Sequence, residues 1–402
     1  MVGPIERRWR RSPSRRDALM SLAALVAGSP LVAAQRDPRP LGDHRRVPGF
    51  AEMSSIFDFE PVFHGNVPQT VYDYTAHGAD SEFTIRRNRD AFDWVEVVPR
   101  APIAPATVDT RTTVLGLSLD FPLFVAPTAL QVALHPEGEV GMHQAATTTK
   151  TPFIISNNSS QPAEKIATSS SGAAWFQFYP RRSLDESRAM LDRVQGAGCQ
   201  AIVVTVDQQA TFYERTQHLR NLGGSPRTPA AQPARPATGG PRNPYRVPET
   251  RLWYEWRYLE QIRPFIAGPL LVKGILTAED ARLCLEHGAQ GIIVSNHGGR
   301  SLDYGPSTLE VLPEIVDAVG GRVPVLVDSG FRRGADVMKA LALGASAVCL
   351  GRATRWGLGA FGPPGVQRVI EMMQAELVAA MAAAGRRSLA DLDRTAVRTR
   401  FL

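Results

Sequence analysis

From about residue 120 to residue 351 the chain repeats one pattern: a short unbroken apolar run, then a polar stretch with helical or loop character. The runs are PLFVAP (122–127), PFIISN (152–157), AAWFQFY (173–179), AIVVTVD (201–207), PLLVKG (269–274), GIIVSN (291–296), VPVLVDSG (323–330) and SAVCLG (346–351). Alternation of apolar and polar residues would mark strands with one wet face. Continuous runs mark strands buried on both faces, as in a parallel sheet. The intervening segments supply helices: in TAEDARLCLEHGA, Thr277 is placed as an N-cap and Gly288 near the stop. Strands alternating with helices mean α/β architecture, and eight of them favour a closed (β/α)8 TIM barrel over an open sheet.

Two segments break the rhythm. Residues 222–250 are dense in Pro, Gly and Arg and read as a flexible excursion after strand four, unsuited to an apolar membrane-binding helix. Residues 51–118 precede the barrel and carry a helix-like stretch around VYDYTAHGADSEFTIRRNRDAF, an N-terminal extension expected to be a lid or a plug for the barrel bottom. Further upstream, Met1–Ala34 has a basic start, a modestly apolar stretch and a small-residue ending, the layout of a removable signal peptide. Within it Ser14-Arg15-Arg16-Asp17-Ala18-Leu19 resembles a twin-arginine export signal, with Ala18 in place of the usual bulky residue. The expectation is a periplasmic protein exported already folded; a cytoplasmic or membrane-associated one is the alternative. Residues 35–50 read as a linker, leaving 51–402 as one domain with its barrel at about 120–375.

Composition narrows the function classes. Of the 402 residues, 44% are hydrophobic and 21% charged, which is ordinary for a soluble globular chain. The formal charge of +6 is concentrated in residues 1–34, where six arginines face only Glu6 and Asp17. The remainder is close to neutral and has no electrostatic footprint for nucleic acid. Cys199, Cys284 and Cys349 are far apart and show no metal-ligand spacing, so neither a metal site nor a disulfide framework is expected.

The polar residues fall where a barrel would use them. Run after run ends in a chemically capable group: Thr128, Ser156, Gln177 with Tyr179, Thr205 with Asp207, Lys273, Ser295 with His297, Asp328, and Arg352. One such group is commonly a helix cap, whereas eight on the C-terminal rim of a barrel mark the face where active sites form. After strands seven and eight, DSGFRRG and CLGRA place Arg332 and Arg352 among glycines and helix starts, a cradle for a phosphate. In GIIVSNHGGRSLDYG, His297 is a candidate general base and Asp207 the carboxylate that would fix its tautomer. Arg300 would fork onto a substrate carboxylate beside it. A base and a carboxylate clamp point to an acid substrate that loses a proton.

The stretch SNHGGRSLDYGPSTLEVLPEI resembles the active-site signature of the FMN-dependent α-hydroxy-acid oxidases and dehydrogenases, a family that includes glycolate oxidase and flavin-type L-lactate dehydrogenase. The resemblance runs from about Phe57 to Leu389 and also covers VYDYTAHGAD, FPLFVAPTALQVALHPEGE, LVKGILTAEDA and the DSGFRRG and LGRA pair. It implies an FMN-binding barrel. Pro127, Thr128 and Ala129 would line the flavin through backbone atoms, with Ser156, Gln177, Thr205 and Ser295 on the ring. Lys273 would approach flavin N1 and O2, where a cation stabilises the reduced ring. Asp328, Ser329, Gly330, Phe331 and Arg332 would hold the ribityl and phosphate groups, completed by Gly351 and Arg352.

On the substrate side the resemblance implies that Tyr74 and Arg300 bind the carboxylate, Tyr179 the hydroxyl, and that His297, supported by Asp207, is the base. Counting back from Asn221 gives Arg215 the role of a second substrate arginine. Asn158 stands where glycolate oxidase has a tryptophan, which implies a pocket of different volume or polarity. The activity implied is oxidation of an (S)-2-hydroxy acid, lactate-like, to the 2-oxo acid. Electrons would pass to oxygen or to a quinone or cytochrome, and the protein would be a homo-oligomer, by analogy a tetramer. The competing reading is an FMN- or phosphate-binding barrel with an isomerase or non-redox role. Such a barrel would keep Arg332 and Arg352 but have no use for Tyr74, His297 and Arg300 together.

Overall fold

The computed structural model describes residues 47–101, 107–207 and 255–401. Eight parallel strands close into a barrel, each hydrogen-bonded to the strands before and after it in sequence and the last to the first. They are β1 (Leu123–Val125), β2 (Phe153–Ser156), β3 (Ala174–Phe178), β4 (Ile202–Thr205), β5 (Leu270–Ile275), β6 (Gly291–Val294), β7 (Val325–Val327) and β8 (Ala347–Leu350). Seven lie within the apolar runs read from the sequence, and β5 passes the end of its run by one residue, Ile275.

Both faces of these strands are buried, yet the residues alternate between two cores. Phe124, Ile154, Trp175, Val203, Leu271, Ile293, Leu326 and Cys349 fill the barrel interior. Their neighbours Val125, Ile155, Phe176, Val204, Val272, Ile292, Val327 and Leu350 face the surrounding helices. That is the period-2 geometry of a strand, hidden in the sequence because both destinations are apolar. The hairpin Thr112–Val114 and Leu117–Leu119 packs Val114 and Leu119 into the inner core and closes the barrel bottom.

The helix-like stretch before the barrel is two helices, Gln69–Ala76 and Phe83–Asp93, and both serve the rim. They part because the chain at Gly78 presses on the loop after β6: a Cβ there would sit 2.7 Å from the Gly299 carbonyl, and Ala79 N–H donates to that carbonyl at 2.9 Å. The second helix is riveted across the rim. Asn88 and Asn296 exchange side-chain hydrogen bonds of 2.9 and 2.7 Å, and Arg87 forks onto Glu310 with two of 2.7 Å. Of the two roles expected for the extension, its helices therefore cover the rim and its hairpin plugs the bottom.

Thr277 caps the helix Ala278–Glu286, accepting from Asp280 N–H at 3.1 Å, and Gly288 follows its end with φ +81°. After β8, helix Arg352–Ala383 is interrupted at Phe361 and Gly362, ahead of Pro363 and Pro364, which lack the N–H that would continue the ladder. Residues Pro48–Leu402 form one unit. Among the described residues no helix is long and apolar enough to cross a membrane. The expected leader, residues 35–46 of the linker, the excursion at 222–250 and Arg215 lie outside the described residues.

Candidate active site

The strand ends converge on a cleft in the C-terminal rim, the face of a barrel where active sites form. It is lined by Tyr74, Pro127, Thr128, Ala129, Ser156, Asn158, Tyr179, Lys273, His297, Arg300, Asp328, Ser329, Gly330, Phe331, Arg332, Gly351 and Arg352 among others. A second, larger and more apolar cavity lies on the other side of Asp207, bordered by Trp256, Leu259, Leu276 and Leu302.

At the centre is a buried charge relay. Lys273, on β5, donates from Nζ to Ser295 Oγ at 2.7 Å and lies 3.3 Å from Asp328 Oδ2 and 3.8 Å from Asp207 Oδ2. Burial alone would pull the Lys273 ammonium down and push the Asp207 carboxyl up. Their mutual attraction, with Asp328 acting on the lysine and His297 on the aspartate, reverses both shifts, so lysine is raised and Asp207 lowered. Gly274 makes the approach possible: it bulges β5 with φ +111°, and a Cβ there would fall 2.6 Å from Asp207 Cβ.

Asp207 Oδ1 accepts from His297 Nδ1 at 2.8 Å. That bond puts the imidazole proton on Nδ1 and leaves Nε2 as the basic nitrogen. His297 itself has φ +58°, unusual for a non-glycine residue, and its N–H donates to Ser295 Oγ at 3.0 Å. The glycines beside it serve protein contacts. A Cβ on Gly299 would meet Ile85 N at 2.7 Å, and one on Gly298 would meet Arg352 Nη1 at 2.8 Å.

Three guanidinium groups hold the end of helix Gln69–Ala76 against the cleft. Arg300 Nη1 donates to the carbonyls of Tyr74 and His77, and its Cζ lies 4.6 Å from the Tyr74 ring centre. Arg352 donates to the carbonyls of Thr75 (2.7 Å), Gly298 (2.7 Å) and His77 (3.2 Å). The third, Arg355, was not foreseen. It lines the cleft and donates to Thr75 Oγ1 and the Ala129 carbonyl. Its signal in the sequence was its position one helical turn after Arg352, on the same face.

The phosphate cradle differs in detail from expectation. The N–H groups of Arg332 and Arg333, at the helix start after β7, already donate to Asp336 Oδ2 at 2.9 and 3.0 Å. Of Arg352, the side chain is bound to carbonyls as described. Arg332 keeps the capacity: its guanidinium is buried 4.2 Å over the Trp356 ring, with Nε lacking any partner. Burial, then the charge of Arg89, pull it down to about 10. Towards the C-terminal ends of β3 and β4, Gln177 Nε2 and Thr205 Oγ1 are also buried without partners. Gln177 Oε1 accepts from Ser156 Oγ (3.4 Å) and Asn157 N–H (3.2 Å), so the amide is already oriented with Nε2 to spare.

Each orphaned polar group costs about 1–3 kcal/mol in a site that stays empty. Two polar groups at the strand ends suit the polar edge of an isoalloxazine, and a buried guanidinium some strands away suits a phosphate. With a buried lysine between them, the barrel rim has the donor set of a flavin-nucleotide oxidoreductase.

The comparisons narrow the class. Residues 64–399 match the FMN-dependent dehydrogenase family. Glycolate oxidase of Spinacia oleracea is 37% identical over 355 residues, 86% of this chain and 95% of that protein, and Glycolate oxidase 3 of Arabidopsis thaliana is 36% identical over 356 residues, 87% and 96%. The crystal structure of mandelate oxidase with benzoyl-formic acid superposes with a TM-score of 0.77 at 37% identity, covering 86% of this chain and 98% of that one. The chain belongs to the FMN-dependent dehydrogenase family; it is an oxidoreductase and its cofactor is FMN. No support remains for the isomerase or non-redox alternative.

Proposed function

We propose that the protein oxidises a small, lactate-like (S)-2-hydroxy acid to the 2-oxo acid. The observation that carries this reading is one cleft lined by His297, Lys273, Arg300 and Tyr74, with Asp207 hydrogen-bonded to His297 Nδ1. When bound, FMN supplies the two-electron acceptor. Arg300 and Tyr74 hold the substrate carboxylate, and Tyr179 takes the hydroxyl. His297 Nε2 removes a proton, and the carboxylate of Asp207 stabilises the imidazolium that results. Lys273 would place its charge beside flavin N1 and O2, with Gln177, Thr205, Ser156 and Ser295 on the ring and Pro127, Thr128 and Ala129 along it. Asp328–Arg332, Gly351 and Arg352 would hold the ribityl and phosphate groups. Arg215 would add a second substrate arginine.

The exposed Asn158 on the cleft wall supports a substrate other than glycolate, because an amide fills less space than the tryptophan of that enzyme. The test is an anaerobic screen of glycolate, lactate, mandelate and longer 2-hydroxy acids, following bleaching of the visible flavin band. Bleaching by lactate-like acids is expected; glycolate bleaching fastest would refute the side-chain assignment. Hydrogen peroxide against dye reduction then separates oxygen from a quinone or cytochrome as acceptor. The reading extends to export through the twin-arginine-like residues 14–19, with periplasmic fractionation as its test, and to a homotetramer, with light scattering as its test.

A further inference from the structure

Helix Gln69–Ala76 ends at the cleft, and a helix C-terminus leaves carbonyls unsatisfied and carries partial negative charge. Arg300 and Arg352 cap those carbonyls, as described above. Arg355 does something different. It takes the side chain of the residue between them, with Nε and Nη2 both donating to Thr75 Oγ1 at 3.2 and 2.9 Å. Its third nitrogen, Nη1, donates to the Ala129 carbonyl at 2.5 Å. Thr75 and Arg355 are 3% and 4% exposed, so the contact is sheltered from water.

One rigid planar fork thus joins three elements: the helix that presents Tyr74, the loop after β1 that contains Ala129, and the start of the helix after β8. Its Cζ lies 5.7 Å from the Tyr74 ring centre, and that of Arg300 at 4.6 Å, so two cations fix the ring whose hydroxyl is assigned to the substrate.

We propose that Arg355 is a positioning residue that, through Thr75 and Ala129, holds Tyr74 in the place where it binds the substrate carboxylate. The proposal rests on the hydroxy-acid reading above and adds residues to which that reading gives no role. Removal of the fork deletes no hydrogen bond of His297, Lys273 or Arg332, so the defect falls on substrate binding rather than on the proton transfer.

The experiment uses FMN holoenzyme of the wild type, Arg355→Leu, Thr75→Val and the double variant. Arg355→Leu is expected to raise KM about tenfold while kcat falls less than about threefold, the pattern of a displaced binding group. Oxalate, a carboxylate with no α-hydrogen to lose, should bind about tenfold more weakly, read from its perturbation of the visible flavin spectrum. FMN dissociation, followed by fluorescence, should change by less than about threefold. Thr75→Val should show the same pattern, and the double variant should be no weaker than Arg355→Leu, because the hydrogen bonds lost in Thr75→Val are already gone when Arg355 is removed. Thr75→Val, which exchanges a hydroxyl for a methyl, carries the test if Arg355→Leu fails to fold.

Unchanged KM and oxalate affinity in the variants would overturn the proposal. So would a loss confined to kcat or to FMN affinity, or additive effects in the double variant. Failure of the hydroxy-acid reading looks different: wild-type holoenzyme whose flavin no 2-hydroxy acid bleaches.

Discussion

His297 Nδ1 and Asp207 Oδ1 are 2.8 Å apart across ninety positions of sequence, one on the loop after β6 and the other just past β4. The aspartate that orients the imidazole is itself held by Lys273 at 3.8 Å, and that lysine reaches Asp328 at 3.3 Å. His297 and Lys273 are therefore tied through one shared carboxylate. A change at either end is felt at the other.

His297→Ala should retain the yellow holoenzyme and lower the rate of flavin reduction by substrate by about 10²–10⁴-fold, the usual contribution of a positioned base. Stopped-flow absorbance in the visible flavin band measures it, and reduction at the wild-type rate would rule the assignment out. Asp207→Asn keeps an oxygen that can accept from Nδ1–H but removes the charge that stabilises the imidazolium. Its rate should fall while its spectrum persists.

Lys273→Met removes the cation between two buried carboxylates. A buried ion pair broken on one side costs about 3–5 kcal/mol, so urea denaturation of the variant should show a large loss of stability. Asp207 and Asp328 then face each other unscreened. The loss should therefore shrink as pH falls and one of them takes up a proton.

The same shifts set the pH range of the fold. Asp207 is depressed in the folded state, so its contribution is present above the unfolded carboxyl value of about 3.9 and is lost as pH falls through the lower folded value. Lys273 is raised, so its contribution is full below about 10.4 and is lost as pH climbs through the higher folded value. Thermal melts should show neither group contributing a slope between about pH 5 and 9. A contribution from the wild type that disappears in Asp207→Asn within that window would contradict the relay.

Gly330→Ala tests the fit of the β7 loop under helix Phe83–Asp93. At φ +88° a side chain is strained, and its Cβ would lie 2.4 Å from the Asn88 carbonyl. The cost should be about 2 kcal/mol or more, together with weaker FMN binding, because Arg332 follows two residues on. Urea denaturation and FMN titration check the two parts separately.

The barrel was legible along the chain because each strand is an apolar run bounded by turn residues, a signal that needs no knowledge of partners. The rim chemistry was legible too: β/α topology sends every strand end to the same face, so Lys273, His297, Asp328 and Arg332 could be grouped before their distances were known. The extension was half legible. Its helical pattern shows in the sequence, but the break at Gly78 exists because the Gly299 loop occupies the space, which no local pattern records.

What the sequence alone determined is the set of strands, their common polar rim and a histidine beside an arginine at the end of β6. Tertiary structure decided which groups meet. It gave Asp336, rather than a phosphate, the N–H groups of Arg332 and Arg333, and it gave Arg355 the hydroxyl of Thr75 on the far side of the chain. Apolar periodicity reports burial, which is a property of each residue; hydrogen bonds and ion pairs belong to pairs of residues, and only closure of the barrel brings those pairs within reach.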